Sequence, residues 1–165
     1  MLIAVISDTH KMNRYINIAK DYIKNADVLI HLGDNSEDID NLSEGFKGDV
    51  YCVRGNCDES NRYPKEQYIE LEGFKIFFTH GDLYGVKRSV NMLYYRAKEL
   101  EADIALFGHT HQQMIEEYNG VILMNPGSIS LPNFKGRYVG FIELEEGKIP
   151  NCYLKEVEIL SLIHI

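Results

Sequence analysis

The first half of the chain alternates short apolar runs with segments of helical periodicity. Residues 2–6 form an apolar run rich in β-branched side chains, which predicts a strand buried on both faces. Apolar side chains then recur at helical spacing between residues 13 and 25, which predicts an amphipathic helix. Strands are also predicted at 28–32 and 50–53, with a short helix between them that Ser36 is expected to cap. Because helices separate these strands, we expect them to be parallel and joined by right-handed crossovers.

The second half of the chain favours hairpins. Its predicted elements are strands at 68–71 and 75–78, a helix at 90–100, a strand at 104–107, strands at 114–115 and 121–123, and two C-terminal strands ending near residue 159. The strongest turn signal is Asn119-Gly120, a dipeptide typical of two-residue hairpin loops. Parallel units followed by hairpins predict an α/β sandwich, in which two mixed β-sheets pack face to face with helices outside.

Five short polar segments follow predicted strands, each at the carboxyl end of its strand. They are Asp8-Thr9-His10, Gly33-Asp34, Gly55-Asn56-Cys57-Asp58, Thr79-His80-Gly81-Asp82 and Gly108-His109-Thr110-His111. The carboxyl ends of parallel strands form the crevice where α/β sheets bind ligands, so we expect the five segments to converge. In the Asp-x-His and His-x-His segments, residues two apart in an extended chain point the same way and can reach one centre.

These segments contain the residue types that bind divalent metals. Imidazole, carboxylate and amide groups together suit borderline ions such as Mn²⁺, Fe²⁺, Ni²⁺ or Zn²⁺. The candidate ligands are Asp8, His10, Asp34, Asn56, His80, His109 and His111. One tetrahedral ion does not need so many ligands, whereas two ions that share a bridging carboxylate do. We therefore expect two divalent ions, with Mn²⁺ the first choice.

In this order the five segments resemble the calcineurin-like metallophosphoesterase superfamily, whose pattern is DxH, GD, GN(H), a lone His and GHxH. The short chain and the later Asn125-Pro126-Gly127-Ser128 resemble its small single-domain phosphodiesterase branch. The resemblance implies that a metal-activated water hydrolyses a small phosphodiester, with a catalytic role for Asn56, His80 and His109. It also implies two ligand sets that share Asp34, namely Asp8, His10, Asp34 and His111 for one ion, and Asp34, Asn56, His80 and His109 for the other.

One position departs from the family pattern. Many members carry a histidine after the Gly-Asn pair, as a general acid toward the leaving oxygen or as a phosphate contact, and this chain has Cys57 there. A thiol with an ordinary pKa of ~8.5 is a poor proton donor to an alkoxide. We therefore expect aryl esters, which have good leaving groups, to be cleaved better than alkyl esters. Cys57 is not expected to be a nucleophile, because no spare histidine is placed to activate it.

Several neighbouring polar residues have an ordinary structural explanation. His31 lies on an apolar strand and is expected to be a core histidine with satisfied hydrogen bonds. Thr9 is expected to support the backbone beside the ligands. Asp58 and Asp82 either orient ligand imidazoles or cap turns. Ser128 either contacts phosphate through its loop or belongs to a plain turn.

Composition narrows the range of partners. The chain has 165 residues and a net charge of −8 at pH 7, which predicts one domain over residues 1–165 and argues against nucleic-acid duplexes and membrane surfaces as partners. Its three cysteines form no CxxC motif, and no apolar run approaches the ~20 residues of a membrane helix. We therefore expect a cytoplasmic protein whose partner is a small phosphodiester.

Two other functions stay open at this point. One is a non-catalytic scaffold for protein partners, similar to the retromer subunit that belongs to the same branch. A scaffold has no reason to keep His10 and all three later histidines of the motifs, which favours the enzyme. The other is a phosphomonoesterase or nucleotide pyrophosphatase, since the pocket around the metals sets that choice. The oligomeric state, a homo-oligomer included, also stays open.

Overall fold

This computed structural model describes residues 1–132 and 136–158, which contain ten strands and three α-helices. The strands are β1 (Leu2–Ile6), β2 (Val28–His31), β3 (Asp49–Cys52), β4 (Glu66–Leu71), β5 (Phe74–Thr79), β6 (Ile104–Leu106), β7 (Met114–Tyr118), β8 (Val121–Asn125), β9 (Tyr138–Glu143) and β10 (Asn151–Glu156). The helices are α1 (Asn13–Ile23), α2 (Ile39–Leu42) and α3 (Asn91–Glu99), and short 3₁₀ turns occupy Ser36–Asp38 and Asp82–Tyr84.

The strands form two mixed five-stranded sheets. The first sheet has the order β10-β9-β1-β2-β3, and the second has the order β4-β5-β6-β8-β7. Strands β1, β2 and β3 are parallel, as are β5, β6 and β8, whereas β4/β5, β7/β8 and β9/β10 are antiparallel. The predicted pair of mixed sheets and the parallel first half are therefore confirmed.

Alternation along β1 shows how the layers stack. Ile3 and Val5 point into an apolar core shared with Ile76 and Ile104 of the second sheet, so the two sheets pack face to face. The next residues along β1 point the other way, into a core that contains Ile16 and the rest of the buried face of α1. Helix α3 covers the outer face of the second sheet in the same manner. The sandwich thus holds the carboxyl ends of both sets of parallel strands at one edge.

The predicted cap at Ser36 is wrong. Asn35 occupies the cap position in a left-handed conformation with φ of 58°, and its side chain makes no capping hydrogen bond to the turn that Ser36 begins. The Ser36 N–H instead donates to Asp58 Oδ1 at 2.8 Å. A tertiary contact from the loop after β3 therefore replaces the local cap.

The ends of the other elements agree with the sequence to within about three residues. Strand β10 ends at Glu156, and residue 159, where the last strand was expected to end, lies outside the described residues. Crossing a membrane would take a longer and more apolar helix than any that the described residues form.

Candidate metal centre

The residues predicted as metal ligands lie in five loops at one edge of the sandwich, after β1, β2, β3, β5 and β6. Six of them come together in two groups, and within each group the ligand atoms lie within 4.8 Å of one another. The groups are Asp8, His10, Asp34 and His111, and Asp34, His80 and His109. Asp34 belongs to both groups, so its carboxylate is the one that would bridge two ions.

Asn56, the seventh predicted ligand, lies at the same edge but is exposed. Both of its neighbours approach Asp34. The Cys57 N–H donates to Asp34 Oδ1 at 3.0 Å, and a Cβ at Gly55 would clash with that same oxygen. Only glycine lets the backbone pass so close to the shared carboxylate. The role of all seven residues as ligands stays a prediction.

The Asp8 carboxylate is fully buried, and one of its oxygens lacks a hydrogen bond. Asp8 Oδ2 accepts hydrogen bonds from the Ser7 hydroxyl and from the His109 N–H, whereas Asp8 Oδ1 accepts none from the residues that the structure describes. That free oxygen lies 3.3 Å from His111 Nε2 and 3.9 Å from the Nε2 atoms of both His10 and His80. A buried polar atom without a partner is costly, and it indicates a missing ion or other group. The donor set therefore fits a divalent cation.

Backbone carbonyls fix the orientation of two imidazole rings. His80 Nδ1 lies 2.8 Å from the Leu32 carbonyl oxygen, and His111 Nδ1 lies 2.9 Å from the Leu131 carbonyl oxygen. Because a carbonyl only accepts, the proton of each neutral ring sits on Nδ1 and leaves the Nε2 lone pair free. This is the arrangement by which proteins orient histidine ligands toward a metal.

The free Nε2 atoms each face a second imidazole. His80 Nε2 lies 3.2 Å from His109 Nδ1, and His111 Nε2 lies 3.3 Å from His10 Nε2. His80 Nε2 is also 3.3 Å from Asp34 Oδ2. Each pair of rings thus presents two nitrogen atoms and at least one carboxylate oxygen to the same small volume, which is the composition of a metal site for Mn²⁺, Fe²⁺, Ni²⁺ or Zn²⁺.

The electrostatics of the site favour a cation. Burial opposes the charged form of His80, but the hydrogen bond to Asp34 and the charges of Asp8 and Asp34 outweigh it and raise the pKa of His80 to about 9. Burial likewise opposes the charge of Asp34, yet the contacts with His80 and Cys57 lower the pKa of that carboxyl. The Asp8 carboxylate raises the pKa of His111. Buried negative charge therefore draws positive charge into this edge of the sandwich.

The backbone of the site is strained. Five of the six clustered residues have left-handed φ angles between 49° and 70°, namely Asp8, His10, Asp34, His109 and His111. This region is uncommon for residues other than glycine and costs of order 1 kcal/mol for each. The strained residues are the ones whose side chains point at one centre, and such clustering of strain is typical of functional sites.

The structure shows what two of these neighbouring polar residues, Asp58 and Ser128, contact. Asp58 accepts the backbone N–H groups of Asp34 at 3.0 Å, Gly55 at 2.7 Å and Ser36 at 2.8 Å, so it holds loops together rather than orienting an imidazole. The Ser128 hydroxyl donates to the Asp8 carbonyl oxygen at 2.7 Å. Ser128 therefore supports the backbone of a candidate ligand.

Sequence reasoning assigned no role of its own to Asn125, which lies fully buried at the end of β8. Its amide nitrogen donates to the Gly108 carbonyl oxygen at 3.2 Å and to Thr110 Oγ1 at 2.9 Å, so it fixes the loop that carries His109 and His111. Its amide oxygen accepts the Gly127 N–H at 2.8 Å. The polar residue at the end of an apolar strand was the signal that could have revealed it.

Comparison with known proteins is consistent with this geometry. Residues 1–147 match the calcineurin-like phosphoesterase superfamily domain. A protein of Bacillus subtilis named "probable metallophosphoesterase" is 35% identical over 136 residues, which are 82% of this chain and 79% of that protein. Vacuolar protein sorting-associated protein 29 of Schizosaccharomyces pombe is 31% identical over 170 residues, 99% of this chain and 88% of that protein.

A solved structure is similar along almost its whole length. It is a crystal structure from Streptococcus pneumoniae, described as that of a predicted phosphoesterase, with a TM-score of 0.75 and 28% sequence identity. The similarity covers 93% of this chain and 97% of that one. The two mixed sheets described above therefore recur in a similar protein.

Proposed function

Because the chain belongs to the calcineurin-like phosphoesterase superfamily, we propose that it is a phosphodiesterase that binds two divalent ions and hydrolyses small phosphodiesters. The observation that carries the proposal is the pair of ligand groups that share Asp34, together with the unpartnered buried oxygen of Asp8. Mn²⁺ is the first candidate metal, and Ni²⁺, Fe²⁺ and Zn²⁺ also suit this donor set.

In this proposal the candidate ligands divide between the two ions, and Asp34 belongs to both sets. Asp8, His10, Asp34 and His111 would hold one ion, and Asp34, His80 and His109 would hold the other with Asn56. The chemistry that these residues would gain from such a pair of ions is an activated water and an offset for the negative charge of the phosphate oxygens. The carbonyls of Leu32 and Leu131 keep the rings of His80 and His111 turned toward the centre. The carboxylates of Asp8 and Asp34 would offset part of the charge of the ions.

Charge and shape favour a compact substrate. Two divalent ions would exceed the charge of Asp8 and Asp34 and attract a phosphate at short range, while the net charge of −8 repels a long polyanion. A cleft of about 650 Å³ next to Cys57 has room for one ester group. Its charged lining consists of Lys11, Arg62 and four acidic residues, Glu37, Asp40, Asp58 and Glu59. We therefore propose a small diester as substrate and no nucleic-acid duplex.

Cys57 lies between the centre and this cleft. In the chain without metal, desolvation and the negative charge of Asp34 raise the pKa of the Cys57 thiol, so the thiol is neutral there at pH 7. A neutral thiol is neither an active nucleophile nor an effective acid toward an alkoxide. This supports the proposal that the leaving group departs without a proton from position 57 and that aryl esters are the better substrates.

A second candidate function is a scaffold that binds protein partners. The identity to a vacuolar protein sorting-associated protein over 99% of this chain favours it. The complete set of candidate ligands favours the enzyme instead, since binding a protein requires neither the buried unpartnered carboxylate oxygen nor the aligned imidazoles.

Hydrolysis of bis(p-nitrophenyl) phosphate by the metal-stripped chain, with Mn²⁺ added back, tests the proposal. We expect turnover that requires the metal, that exceeds turnover of p-nitrophenyl phosphate, and that Asp34→Asn abolishes. The exposed Asp21 offers a matched control, since Asp21→Asn makes the same chemical change on α1 and should keep full activity. Faster cleavage of the monoester would contradict the diesterase assignment, and no turnover with any of the four metals would favour the scaffold.

A further inference from the structure

His31 ends β2 inside the core, and the proposed chemistry assigns it no task. Its ring is fully buried, yet both nitrogens are used. The Gly33 N–H donates to His31 Nδ1 at 3.0 Å, and His31 Nε2 lies 3.1 Å from Thr9 Oγ1. Because a backbone N–H only donates, Nδ1 carries the lone pair and the proton of the neutral ring sits on Nε2. The expectation of a core histidine with satisfied hydrogen bonds is confirmed.

The chain of hydrogen bonds continues beyond His31. With Nε2–H donating to Thr9 Oγ1, the Thr9 hydroxyl is free to donate to Asp38 Oδ2, 2.6 Å away. The same Asp38 oxygen accepts the Lys11 N–H at 2.8 Å. Thr9 is fully buried and Asp38 is 8% exposed, so water does not replace these bonds readily.

This series of hydrogen bonds joins the two loops that hold the acidic candidate ligands. Thr9 and Lys11 flank His10 in the loop after β1, and Gly33 precedes Asp34 in the loop after β2. Five non-glycine residues of these two loops have left-handed backbones, namely Asp8, His10, Lys11, Asp34 and Asn35. A strained conformation persists only where its surroundings determine it, and the bonds from His31 act on both loops at once.

We propose that His31 is a positioning residue for the candidate metal centre. Its Nε2–H tautomer sets the donor-to-acceptor direction of the hydrogen bonds that run from Gly33 through His31 and Thr9 to Asp38. These bonds fix the positions of Asp8, His10 and Asp34 relative to one another. The inference rests on the proposed function in one respect, that the clustered residues bind metal.

Three substitutions separate the two bonds of the ring. His31→Asn keeps an acceptor near the position of Nδ1 for the Gly33 N–H, and His31→Gln keeps a donor near the position of Nε2 for Thr9. His31→Leu removes both bonds and leaves the Gly33 N–H buried without a partner. Titration calorimetry of each metal-stripped chain with Mn²⁺, well below its melting temperature, should show affinity reduced about tenfold or more in His31→Leu, with partial rescue in the two amide variants.

Leu144→Ala is the matched control for lost stability. Leu144 is buried beside Met1, at the opposite end of the first sheet from the candidate centre. This variant should lower the melting temperature and leave the Mn²⁺ affinity unchanged. If His31 had only a structural role, His31→Leu would behave in the same way as Leu144→Ala.

The tautomer gives a readout that does not depend on metal. Nitrogen NMR of the metal-free full chain should show His31 protonated on Nε2 and not on Nδ1. The opposite tautomer, or unchanged Mn²⁺ affinity in His31→Leu, would overturn this inference while the proposed function stands. Failure of the wild-type chain to bind Mn²⁺, Ni²⁺, Fe²⁺ or Zn²⁺ would overturn the proposed centre and this inference together.

Discussion

Asp8 shows a conflict between stability and function within a single residue. Its free oxygen is buried among imidazole nitrogens and accepts no hydrogen bond within the described part of the chain, so the chain without metal bears a cost there. The charge of Asp8 also raises the pKa values of His80 and His111, so it draws positive charge toward these rings. The carboxylate is therefore explained by what it would bind and not by the fold that it belongs to.

The pH dependence of stability should reveal the burial of His31. Burial lowers the pKa of His31 to about 4, against an ordinary value of 6.5, so the unfolded chain takes up a proton that the folded chain refuses. Its contribution to stability is therefore present above pH 6.5 and is lost as the pH falls toward 4, by about 2 kcal/mol between pH 7 and pH 5. Urea unfolding of the metal-free chain at both values, compared with His31→Asn, measures it. An equal loss in both proteins would contradict this assignment.

Position 57 should control the choice of leaving group. Restoring the family histidine with Cys57→His supplies a donor that can protonate an alkoxide, so we expect turnover of alkyl diesters to rise about tenfold or more. Aryl diesters, which leave without a proton, should change little. Rates across a series of leaving groups of graded pKa measure the effect, and Cys57→Ser is the control that changes the side chain without adding an imidazole. A wild-type rate that does not vary with the leaving group would contradict the idea.

At the scale of elements, the sequence predicted what local patterns encode. Apolar runs and helical periodicity located the parallel strands and α1, and Asn119-Gly120 located the β7–β8 hairpin. The turn after β2 was not predictable in this way. Its form depends on Asp58, which lies more than twenty residues away in the sequence and accepts backbone N–H groups of that turn.

The loop after β6 depends on the absence of a side chain at Gly108. A Cβ there would clash with Ser7 Oγ and lie 2.8 Å from Asp8 Oδ2. We expect Gly108→Ala to lower the free energy of unfolding by about 1–3 kcal/mol, as overpacking does, and to weaken Mn²⁺ binding as Asp8 shifts. Urea unfolding and calorimetry measure the two effects.

Gly147→Ala is the contrasting variant, since a Cβ at that turn meets no atom within 4 Å and only its φ of 82° opposes the change. It should cost about 1 kcal/mol and leave Mn²⁺ affinity unaltered. Equal Mn²⁺ affinities in the two variants would show that the close approach at Gly108 does not position Asp8.

At the scale of the whole molecule, metal binding should raise stability. Any ligand that binds only the folded chain stabilises it, by about 2.7 kcal/mol at a free concentration one hundred times its dissociation constant. We expect Mn²⁺ to raise the melting temperature of the wild-type chain and EDTA to reverse the rise. Asp8→Asn should remove the response to Mn²⁺, since it takes away one of the candidate ligands. A wild-type melting temperature that ignores Mn²⁺ would argue against the centre.

The candidate ligands could be predicted from sequence because they lie in short motifs after strands. The residues that hold these ligands in place could not, because their partners lie in other parts of the sandwich: Asn125 and Asp58 bond to backbone groups there, and His31 bonds to the Thr9 hydroxyl. A hydrogen bond to a distant carbonyl or N–H leaves no spacing pattern in the chain. Such supports become visible only when the strands are assembled.

The clustered side chains come equally from the two halves of the sandwich. Asp8, His10 and Asp34 extend from loops of the first sheet, and His80, His109 and His111 extend from loops of the second. An ion held between these two sets of side chains would link the sheets at one edge. The supply of metal would then govern how long the folded chain resists proteases as well as how fast it hydrolyses its substrate.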